Sequence, residues 1–335
     1  MVRKTKPNLE DIARGAGVSK MTVSRVLRGG TGFSEDTRDK VMAEASRLNY
    51  LPDRLAAAFG KGGASTLVGV CVPRFTSSLF GQVIEALNAN FARLGYQTMI
   101  GSHDQTPVEE EQWLQSLASW RPAGVLLAGT RHTIRTLELL RDLAVPVIEI
   151  WDLTTTPVDM AVGFSHHDSG YDMGRFMVSR GRRRIGYVGA MAGVDTMGRA
   201  RQRGFRAALL DAGLDFAGIE VLHDRPSFYA GYVGTETILT RRRDLDGLYF
   251  HDDEMAIGGM AYLATKGIRV PENIGIAGWG AMEAASILPR RLTTTEIPAA
   301  RLGKMAAEAM VMRLKGDAVQ DIQLIPTPLV PGATV

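Results

Sequence analysis

The feature that most constrains the fold is an alternation of short apolar runs with helical segments, which starts at Thr66. The ten runs are LVGVCVP, YQTMIGS, AGVLLAG, VPVIEI, DMAVGF, RIGYVGA, GIEVLH, DGLYFHD, IGIAGW and RLTTTEI. This alternation predicts parallel sheets covered by helices on both faces. Ten strands are too many for one such sheet here, so we expect two similar α/β halves over about 66–163 and 164–292. Glycines follow several predicted helices, where a left-handed cap belongs, at Gly95, Gly181, Gly213, Gly267 and Gly316.

Composition sets the broad class of protein. A hydrophobic content of 45% in 335 residues, with no apolar run approaching about 18 residues, predicts a soluble globular protein of two or three domains without a spanning helix. The basic N-terminus is not followed by an apolar stretch, so we expect no secretory signal. The single cysteine, Cys71, lies in an apolar run. It is expected to be a small buried side chain, which fits a reducing cytoplasm.

Charge is unevenly distributed along the chain. Residues 1–64 contain 12 Lys and Arg against 7 Asp and Glu, a balance of +5, whereas the remainder contains 27 against 29, a balance of −2. This asymmetry is typical of a nucleic-acid-binding module attached to a near-neutral body. A charged arm or a solvated face would give the same balance.

Capping and breaking residues predict three short helices near the N-terminus. Asn8 with Asp11 predicts the start of the first helix, and Gly17 its end. Ser19 and Ser34 are expected to cap the second and third. The predicted inward faces are Leu9, Ile12, Ala13 and Ala16, then Val23, Val26 and Leu27, then Val41, Ala45 and Leu48.

The connection between the first two helices is about three residues long and contains a glycine. That pattern predicts a helix-turn-helix, in which the N-terminal residues of the second helix enter the major groove. The exposed stripe of this helix consists of Lys20, Met21, Ser24, Arg25 and Arg28. A three-helix domain without a role in DNA binding, with the stripe simply solvated, is the alternative.

The segment DIARGAGVSKMTVSRVLRG, followed by LNYLPDRLAAAF, resembles the headpiece and hinge of the lactose-repressor (LacI) family. The similarity continues through nearly the whole chain. The pieces SKMTVSR, GYQTMI, HTIRTLE, AVGF and DAGL are most similar to the gluconate-utilisation repressor branch. The resemblance implies an α helix-turn-helix headpiece plus an α/β two-lobed periplasmic-binding-protein-like core, built from two doubly wound parallel sheets.

The resemblance also implies a domain organisation, with three crossings between the lobes near residues 163, 292 and 323. The expected parts are a headpiece (1–49), a hinge helix and linker (50–65), and an effector-binding and dimerisation core (66–335). Within the core, the expected N-subdomain covers about 66–163 and 293–323, and the C-subdomain about 164–292 and 324–335.

The family's base-reading positions fall on Lys20, Met21 and Arg25. Arg25 suits the O6 and N7 acceptors of guanine, Lys20 a guanine or a phosphate, and Met21 a thymine methyl group. The positions that match phosphate contacts, which set register, are Ser19, Thr22, Ser34 and Tyr50.

The hinge follows Tyr50. Pro52 suits a first helical turn and DRLAAAF is helix-prone, but an isolated helix of this length is unstable in water. In the family it forms when two copies pair on DNA and an apolar residue wedges into the minor groove. That position is Phe59, where the family usually has leucine. A plain linker is the alternative.

Ligands of open α/β sheets bind beyond the carboxyl ends of the strands, so polar and aromatic residues there are candidates. The predicted effector residues are Arg74, Phe80, His132, Arg135, Ser165, Arg201, Asp252 and Trp279, with Trp151 and Asp152 beside them. Phe80, Arg201 and Asp252 match effector positions of the family. An arginine, an aspartate and an aromatic face suit a sugar acid. A structural role is open for each of these residues.

One departure from the family pattern concerns the cleft. Many members carry an aspartate after the aromatic residue of a GYD segment, whereas this chain reads GWG with Gly280. A hydroxyl-accepting carboxylate is therefore missing, which argues against an ordinary aldose as the ligand.

Other chemistries find little support. The SHHDSG segment does not predict a metal site, because adjacent residues project in different directions. No dinucleotide-binding, P-loop or nucleophile-elbow motif is present, so no cofactor and no enzymatic activity are expected. The arginine runs 182–184 and 241–243 follow helices, where cations complement the helix dipole.

These observations predict a cytoplasmic, homodimeric transcription regulator with a double-stranded DNA operator and a small-molecule effector as partners. A repressor of sugar-acid utilisation genes, released by a gluconate-like effector, is favoured. The absence of a C-terminal heptad helix argues against tetramers. Corepression by another ligand stays open. A periplasmic-type sugar-binding module and a sugar-acid enzyme are weaker alternatives.

Overall fold

A computed structural model describes residues 7–27, 29–50, 65–75, 78–103, 106–190 and 196–335. The chain divides into two compact units, residues 1–65 and 66–335. Most of the predicted hinge, including Phe59, lies outside the described residues.

The first unit contains the three predicted helices, α1 (Leu9–Ala16), α2 (Lys20–Leu27) and α3 (Glu35–Arg47). The Asn8 side chain accepts hydrogen bonds from two backbone N–H groups of α1, and the Asp11 carboxylate accepts one from the Asn8 N–H, which completes a capping box. Gly17 ends α1 with a φ of 67°. The buried core consists of Ile12, Val23, Val26, Val41 and Ala45. The predicted inward faces are therefore confirmed.

The second unit alternates strands and helices. From the start of this unit to the first crossing, the elements are β1 (Leu67–Val72), α4 (Ser78–Arg93), β2 (Gln97–Ser102), α5 (Pro107–Ala118), β3 (Gly124–Ala128), α6 (Ile134–Leu143), β4 (Val147–Asp152) and β5 (Met160–Phe164). Next come α7 (His166–Ser179), β6 (Ile185–Ala190), α8 (Thr196–Asp211), β7 (Gly218–Leu222), α9 (Phe228–Arg241), β8 (Gly247–Phe250), α10 (Asp253–Thr265) and β9 (Gly275–Ala277). The last elements are α11 (Glu283–Ser286), β10 (Thr294–Thr295), α12 (Ala299–Lys315), β11 (Ile322–Leu324) and β12 (Leu329–Val330).

Two parallel sheets define two lobes. The N-lobe sheet has the strand order β11-β5-β4-β3-β1-β2, and the C-lobe sheet has the order β7-β6-β8-β9. Each predicted apolar run contains a strand, although the RLTTTEI run contributes only β10, which pairs with β12 in an antiparallel ribbon. Neither β11 nor β12 lies in a predicted run. The chain passes between the lobes after β5, before α12 and after β11.

Helices cover both faces of each sheet. In the N-lobe, α4 and α12 pack on one face, around Leu87, Phe91 and Met310, while Leu114 and Leu140 of α5 and α6 cover the other. Cys71 lies in this second core, as predicted, and burial raises the pKa of its thiol. The five predicted glycine caps all have positive φ.

A close helix contact in the C-lobe positions the cleft. A Cβ on Gly170 of α7 would overlap the carbonyl oxygen of Arg201 in α8, and a Cβ on Gly204 of α8 would overlap that of His167. The two helices therefore touch backbone to backbone, which brings Arg201 beside the N-terminus of α7.

We expect Gly204→Ala to destabilise the core by about 1–3 kcal/mol, because the added methyl group forces α7 and α8 apart. Scanning calorimetry of the full chain would show this as a lower melting temperature of the core transition. Gly81→Ala on α4 is the matched control, since its Cβ meets nothing within 4 Å. That change is expected to stabilise the helix by roughly 0.5–1 kcal/mol. Equal effects of the two substitutions would contradict the close contact.

Candidate functional sites

Helix α2 presents two different faces. Val23 and Val26 are buried, whereas Lys20, Met21 and Arg25 are exposed, Met21 to 70%. The exposed methionine lies beside two cations and is not part of the core formed by the described residues of this unit, and this surface is the one that a helix-turn-helix inserts into the major groove. The structure thus brings together the three predicted base-reading residues.

The predicted phosphate-contacting hydroxyls also have structural roles. The Ser19 hydroxyl accepts a hydrogen bond from the Thr22 backbone N–H at 3.1 Å and lies 2.9 Å from the Thr22 hydroxyl. Ser34 caps α3 in the same way, with its oxygen 3.2 Å from the backbone nitrogen of Thr37. Tyr50 is half-buried against the headpiece core. The hydrogen bonds of Ser19 and Ser34 fix the starts of α2 and α3 and leave both hydroxyl groups able to contact a phosphate.

Arg25 lies over the glycine-rich loop that follows α2. A Cβ on Gly30 would lie 2.8 Å from Cγ of Arg25 and 3.2 Å from its carbonyl oxygen. A Cβ on Gly32 would lie 3.6 Å from Nη1 of Arg25, an ordinary van der Waals distance. Gly30 therefore lets the Arg25 side chain extend along the loop.

Aromatic side chains from both lobes meet between the two sheets. Trp151 of β4 lies 4.4 Å from Phe80 of α4 and 6.1 Å from Trp279, measured between ring centroids. Phe164 and His166 join the same cluster. Trp279, from the loop after β9, is therefore part of the N-lobe core.

Arg201 is buried against this cluster, with only 4% of its surface exposed. Its guanidinium lies 3.8 Å above the Trp279 ring, and its terminal nitrogens donate to Nδ1 of His166 and to the carbonyl oxygen of His251, each at 3.0 Å. Because arginine stays charged, Nδ1 of His166 is the acceptor and the imidazole is neutral. Burial, together with the charge of Arg201, lowers the pKa of His166 well below its usual value. Among the described residues, Nε2 of His166 has no hydrogen-bond partner.

Asp152 adds a carboxylate at the end of β4. Burial raises the pKa of Asp152, opposed by the Leu153 N–H and by the charges of Arg201 and Arg203. The preceding residue, Trp151, has a φ of 83°, which is strained for a tryptophan. A backbone held in this region is typical of functional positions.

Two predicted effector residues are helix caps. The Ser165 hydroxyl accepts a hydrogen bond from Asp168 N–H at 3.1 Å at the start of α7. The Asp252 carboxylate accepts one from Met255 N–H at 2.9 Å at the start of α10. Ser165 thus lies next to His166, and Asp252 next to His251, at the ends of strands that face the cleft.

His132 belongs to a separate buried ionic cluster. Its Nδ1 lies 2.6 Å from Glu110 of α5, and its Nε2 lies 3.3 Å from Glu149 of β4. Burial alone would lower the pKa of His132, but the hydrogen bonds and charges of the two glutamates outweigh it and raise the pKa to about 9. Sequence reasoning missed both glutamates, although Glu149 interrupts an apolar strand.

The remaining predicted arginines lie in different settings. Arg135 is exposed on α6 and pairs with Glu138 at 3.0 Å, so the structure does not bring it to the aromatic cluster. Arg74 is half-buried after β1, and its charge opposes the upward pKa shift that burial and Asp252 cause in Glu254 of α10. Arg74 therefore contributes charge across the two lobes.

Gly280 has a φ of 124°, and a Cβ there would lie 3.2 Å from Leu79. An aspartate at this position would be strained in its backbone and crowded by the N-lobe. The backbone conformation at this position therefore favours glycine and disfavours a side chain that carries a carboxylate.

Asp253 is a further buried carboxylate that sequence reasoning missed. It accepts hydrogen bonds from the Thr294 hydroxyl at 2.6 Å and from Met282 N–H at 2.8 Å, which ties α10 to the crossing segment. Burial raises its pKa to about 7 despite these bonds.

A small cavity of about 110 Å³ opens between the lobes. It is lined by Phe80, His103, Glu110 and Thr130 of the N-lobe and by Thr196 and Met197 of α8. In the described part of the chain, no group of three or more His, Cys, Asp or Glu residues is arranged to hold a metal ion, and no helix there is both long and apolar enough to cross a membrane.

A helix-turn-helix headpiece in one chain with a two-lobed α/β core defines a class of DNA-binding regulators. Residues 8–53 match the family described as bacterial regulatory proteins, lacI family, and residues 175–335 match the periplasmic binding protein-like domain. The HTH-type transcriptional regulator GntR of Escherichia coli (strain K12) is 33% identical over 321 residues, which cover 95% of each chain.

Solved structures support the same assignment. A LacI-family transcriptional regulator from Silicibacter pomeroyi, 34% identical, has a TM-score of 0.90 over 98% of this chain and 99% of that one. The lac repressor dimer bound to operator and the anti-inducer ONPF, 25% identical, has a TM-score of 0.88 over 98% and 99% of the two chains. This chain belongs to the LacI family of DNA-binding transcriptional regulators.

The His132 cluster gives a pH dependence of stability. Because folding raises the pKa of His132, its stabilising contribution is fully present below about pH 6.5 and is lost as the pH rises through about 9. We expect the loss to be on the order of 3 kcal/mol between these limits. Chemical denaturation of wild type and His132→Gln at several pH values would test this.

The two proteins should differ in the slope of the free energy of unfolding against pH. His132→Gln removes the titrating group and also a buried partner of the two glutamates, so the absolute stabilities are not compared. Wild type should lose stability between pH 7 and 10 more steeply than the variant. His167→Gln is the control, because His167 is exposed, with Asp168 as its ion-pair partner and the Tyr171 ring stacked beside it. Parallel pH profiles for wild type and His132→Gln would contradict the cluster.

Proposed function

We propose that this regulator is a cytoplasmic repressor of sugar-acid utilisation genes, which binds a pseudo-palindromic operator as a dimer and is released by a gluconate-like effector. The similarity to gluconate-utilisation repressors in the SKMTVSR and HTIRTLE segments supports this branch of the family. The observation that carries the proposed effector class is the buried guanidinium of Arg201, which lies over the Trp279 ring in the aromatic cluster between the lobes.

The chemistry around Arg201 suits a carboxylate ligand. A guanidinium has five N–H donors, and the hydrogen bonds to His166 and His251 use one on each terminal nitrogen. The Nε2–H of His166 is a further donor, which suits a ligand oxygen as its acceptor. The aromatic ring of Phe80, which lines the cavity, suits the carbon chain of a polyhydroxy acid, and Asp152 suits its hydroxyl groups.

The cleft geometry links binding to lobe movement. The cavity of about 110 Å³ between the lobes shares Phe80 with the aromatic cluster but is not lined by Arg201, and it is smaller than the roughly 300 Å³ at the lower end of ligand pockets. A sugar acid therefore reaches Arg201 only when the lobes or the aromatic side chains move apart. An effector that binds this arrangement preferentially shifts the population of core conformations, and with it the pairing of two headpieces on DNA.

The first test is titration calorimetry with gluconate, its keto and phosphorylated relatives, and neutral sugars, repeated with DNA from upstream of the protein's own gene. Micromolar binding of gluconate that weakens DNA binding supports the proposal. A ligand that strengthens DNA binding identifies corepression instead. Binding of a neutral sugar, with gluconate silent, overturns the sugar-acid assignment.

We expect Arg201→Ala to reduce the effector response at least about 10-fold, because it removes a charge-assisted contact to the carboxylate. Operator binding without effector should stay intact. Arg206→Ala is the matched control, since Arg206 lies on the same helix but is exposed and pairs with Asp215. Circular dichroism melting of both variants shows whether the core still folds. A folded Arg201→Ala protein with a full response would remove Arg201 from the effector site.

We expect Arg25→Ala to weaken operator binding by about 10-fold or more and to relax the preference at one base pair in each half-site, since a bidentate arginine discriminates guanine. Fluorescence anisotropy against operators substituted at single positions would measure both effects. Arg47→Ala removes the same charge from α3, where Arg47 pairs with Glu44. This control should change all operators equally, and a sequence-independent effect of Arg25→Ala would contradict its role.

A further inference from the structure

One ion pair of the headpiece joins two helices. Nζ of Lys20, the first residue of α2, lies 3.2 Å from Oε1 of Glu10 on α1, and both side chains are more than half exposed. The other ion pairs described within residues 7–27 and 29–50, Lys40 with Asp36 and Arg47 with Glu44, lie inside α3. Glu10 therefore reaches from the first helix to the helix that reads DNA.

Helix stability explains only the presence of Glu10 in the first turn of α1, where a carboxylate complements the helix dipole, and not its contact with Lys20. A cation at the N-terminus of α2 opposes the helix dipole, and α2 has no acidic residue in its first turn, unlike α1 and α3. Exposed ion pairs contribute little to folding. The α1 cap is already complete, because Asn8 and Asp11 form the capping box without the Glu10 carboxylate.

The location of Glu10 is also unfavourable for DNA affinity in general. The N-terminal residues of α2 are those that a helix-turn-helix brings to the major groove, between two phosphate backbones. A carboxylate beside them repels phosphates, in a headpiece region that otherwise carries an excess of positive charge. Its presence next to Lys20 thus calls for a role in selectivity.

We propose that Glu10 is a specificity-determining residue that positions the Lys20 ammonium for a base edge and keeps it from a phosphate. An ammonium has three N–H donors, so one can stay on Glu10 while another donates to a guanine acceptor. Without Glu10, the flexible four-carbon stem of lysine reaches the nearest phosphate as a point charge. Glu10 thereby lowers affinity for DNA of any sequence and raises discrimination. This inference rests on the proposal that Lys20 reads a base.

The experiment compares the full-length wild type with Glu10→Gln, Lys20→Ala and the double variant. The probes are a duplex enriched by the wild type from a randomised pool and a random-sequence duplex of equal length. Anisotropy titrations at several salt concentrations give the two dissociation constants and their salt dependence. Asp36→Asn is the matched control, because it removes one negative charge from another exposed lysine pair in the same headpiece.

For Glu10→Gln we expect tighter binding to random DNA, a salt dependence steeper by about one phosphate contact, and a specificity ratio about 10-fold lower than in the wild type. Asp36→Asn should leave the ratio unchanged, and Glu10→Gln should have no effect on the ratio when Lys20 is already alanine. The proposal is overturned if Glu10→Gln leaves the specificity ratio unchanged. It is also overturned if Glu10→Gln changes the ratio by the same factor in the Lys20→Ala background as in the wild type. Enrichment of a preferred duplex by the wild type tests DNA reading itself, separately from the variants.

Discussion

The core depends on how it accommodates the buried charge of Arg201. An unpaired charge away from water is very costly, so every group around the guanidinium compensates for lost hydration. The neutral imidazole of His166, the carbonyl oxygen of His251 and the face of Trp279 supply this compensation. None of the three is a carboxylate in direct contact, so the cation stays only partly neutralised. That remaining positive potential is what an anionic ligand between the lobes would meet.

The two units use charge in opposite ways. In the headpiece, most of the described charged side chains are exposed, so salt screens their interactions over a Debye length of about 8–10 Å at physiological ionic strength. In the core, the Arg201 and His132 networks are buried and shielded from ions. Ionic strength therefore acts mainly on DNA recognition, while pH acts on the core through His132 and Asp253. The same chain thus responds to two solution variables through separate units.

Local periodicity was sufficient to predict most of the fold. The apolar runs located the strands of both sheets, and the caps at Asn8, Ser19 and Ser34 located the headpiece helices. The strands β11 and β12 escaped prediction because none of their residues is fully buried, so no apolar run marks them, and β11 is an edge strand with exposed Leu324.

The sites were only partly predictable, for a physical reason. A polar residue after a strand is both at the mouth of the cleft and at the N-cap of the next helix, and the pattern does not separate these roles for Ser165 and Asp252. Arg201 was recognised as a candidate, but its burial depends on the contact between α7 and α8. The two partners of His132 lie 22 and 17 residues away along the chain, and the partner of Lys20 lies 10 residues away, beyond any local pattern.

The course of the backbone at Gly280 bears on how this regulator can evolve. An aspartate in place of Gly280 is disfavoured in the present loop, because the left-handed φ of Gly280 and the nearby Leu79 both oppose it. A carboxylate is therefore accommodated more readily after a rearrangement between β9 and β10 than before it. The order of mutations is therefore constrained by the shape of one loop.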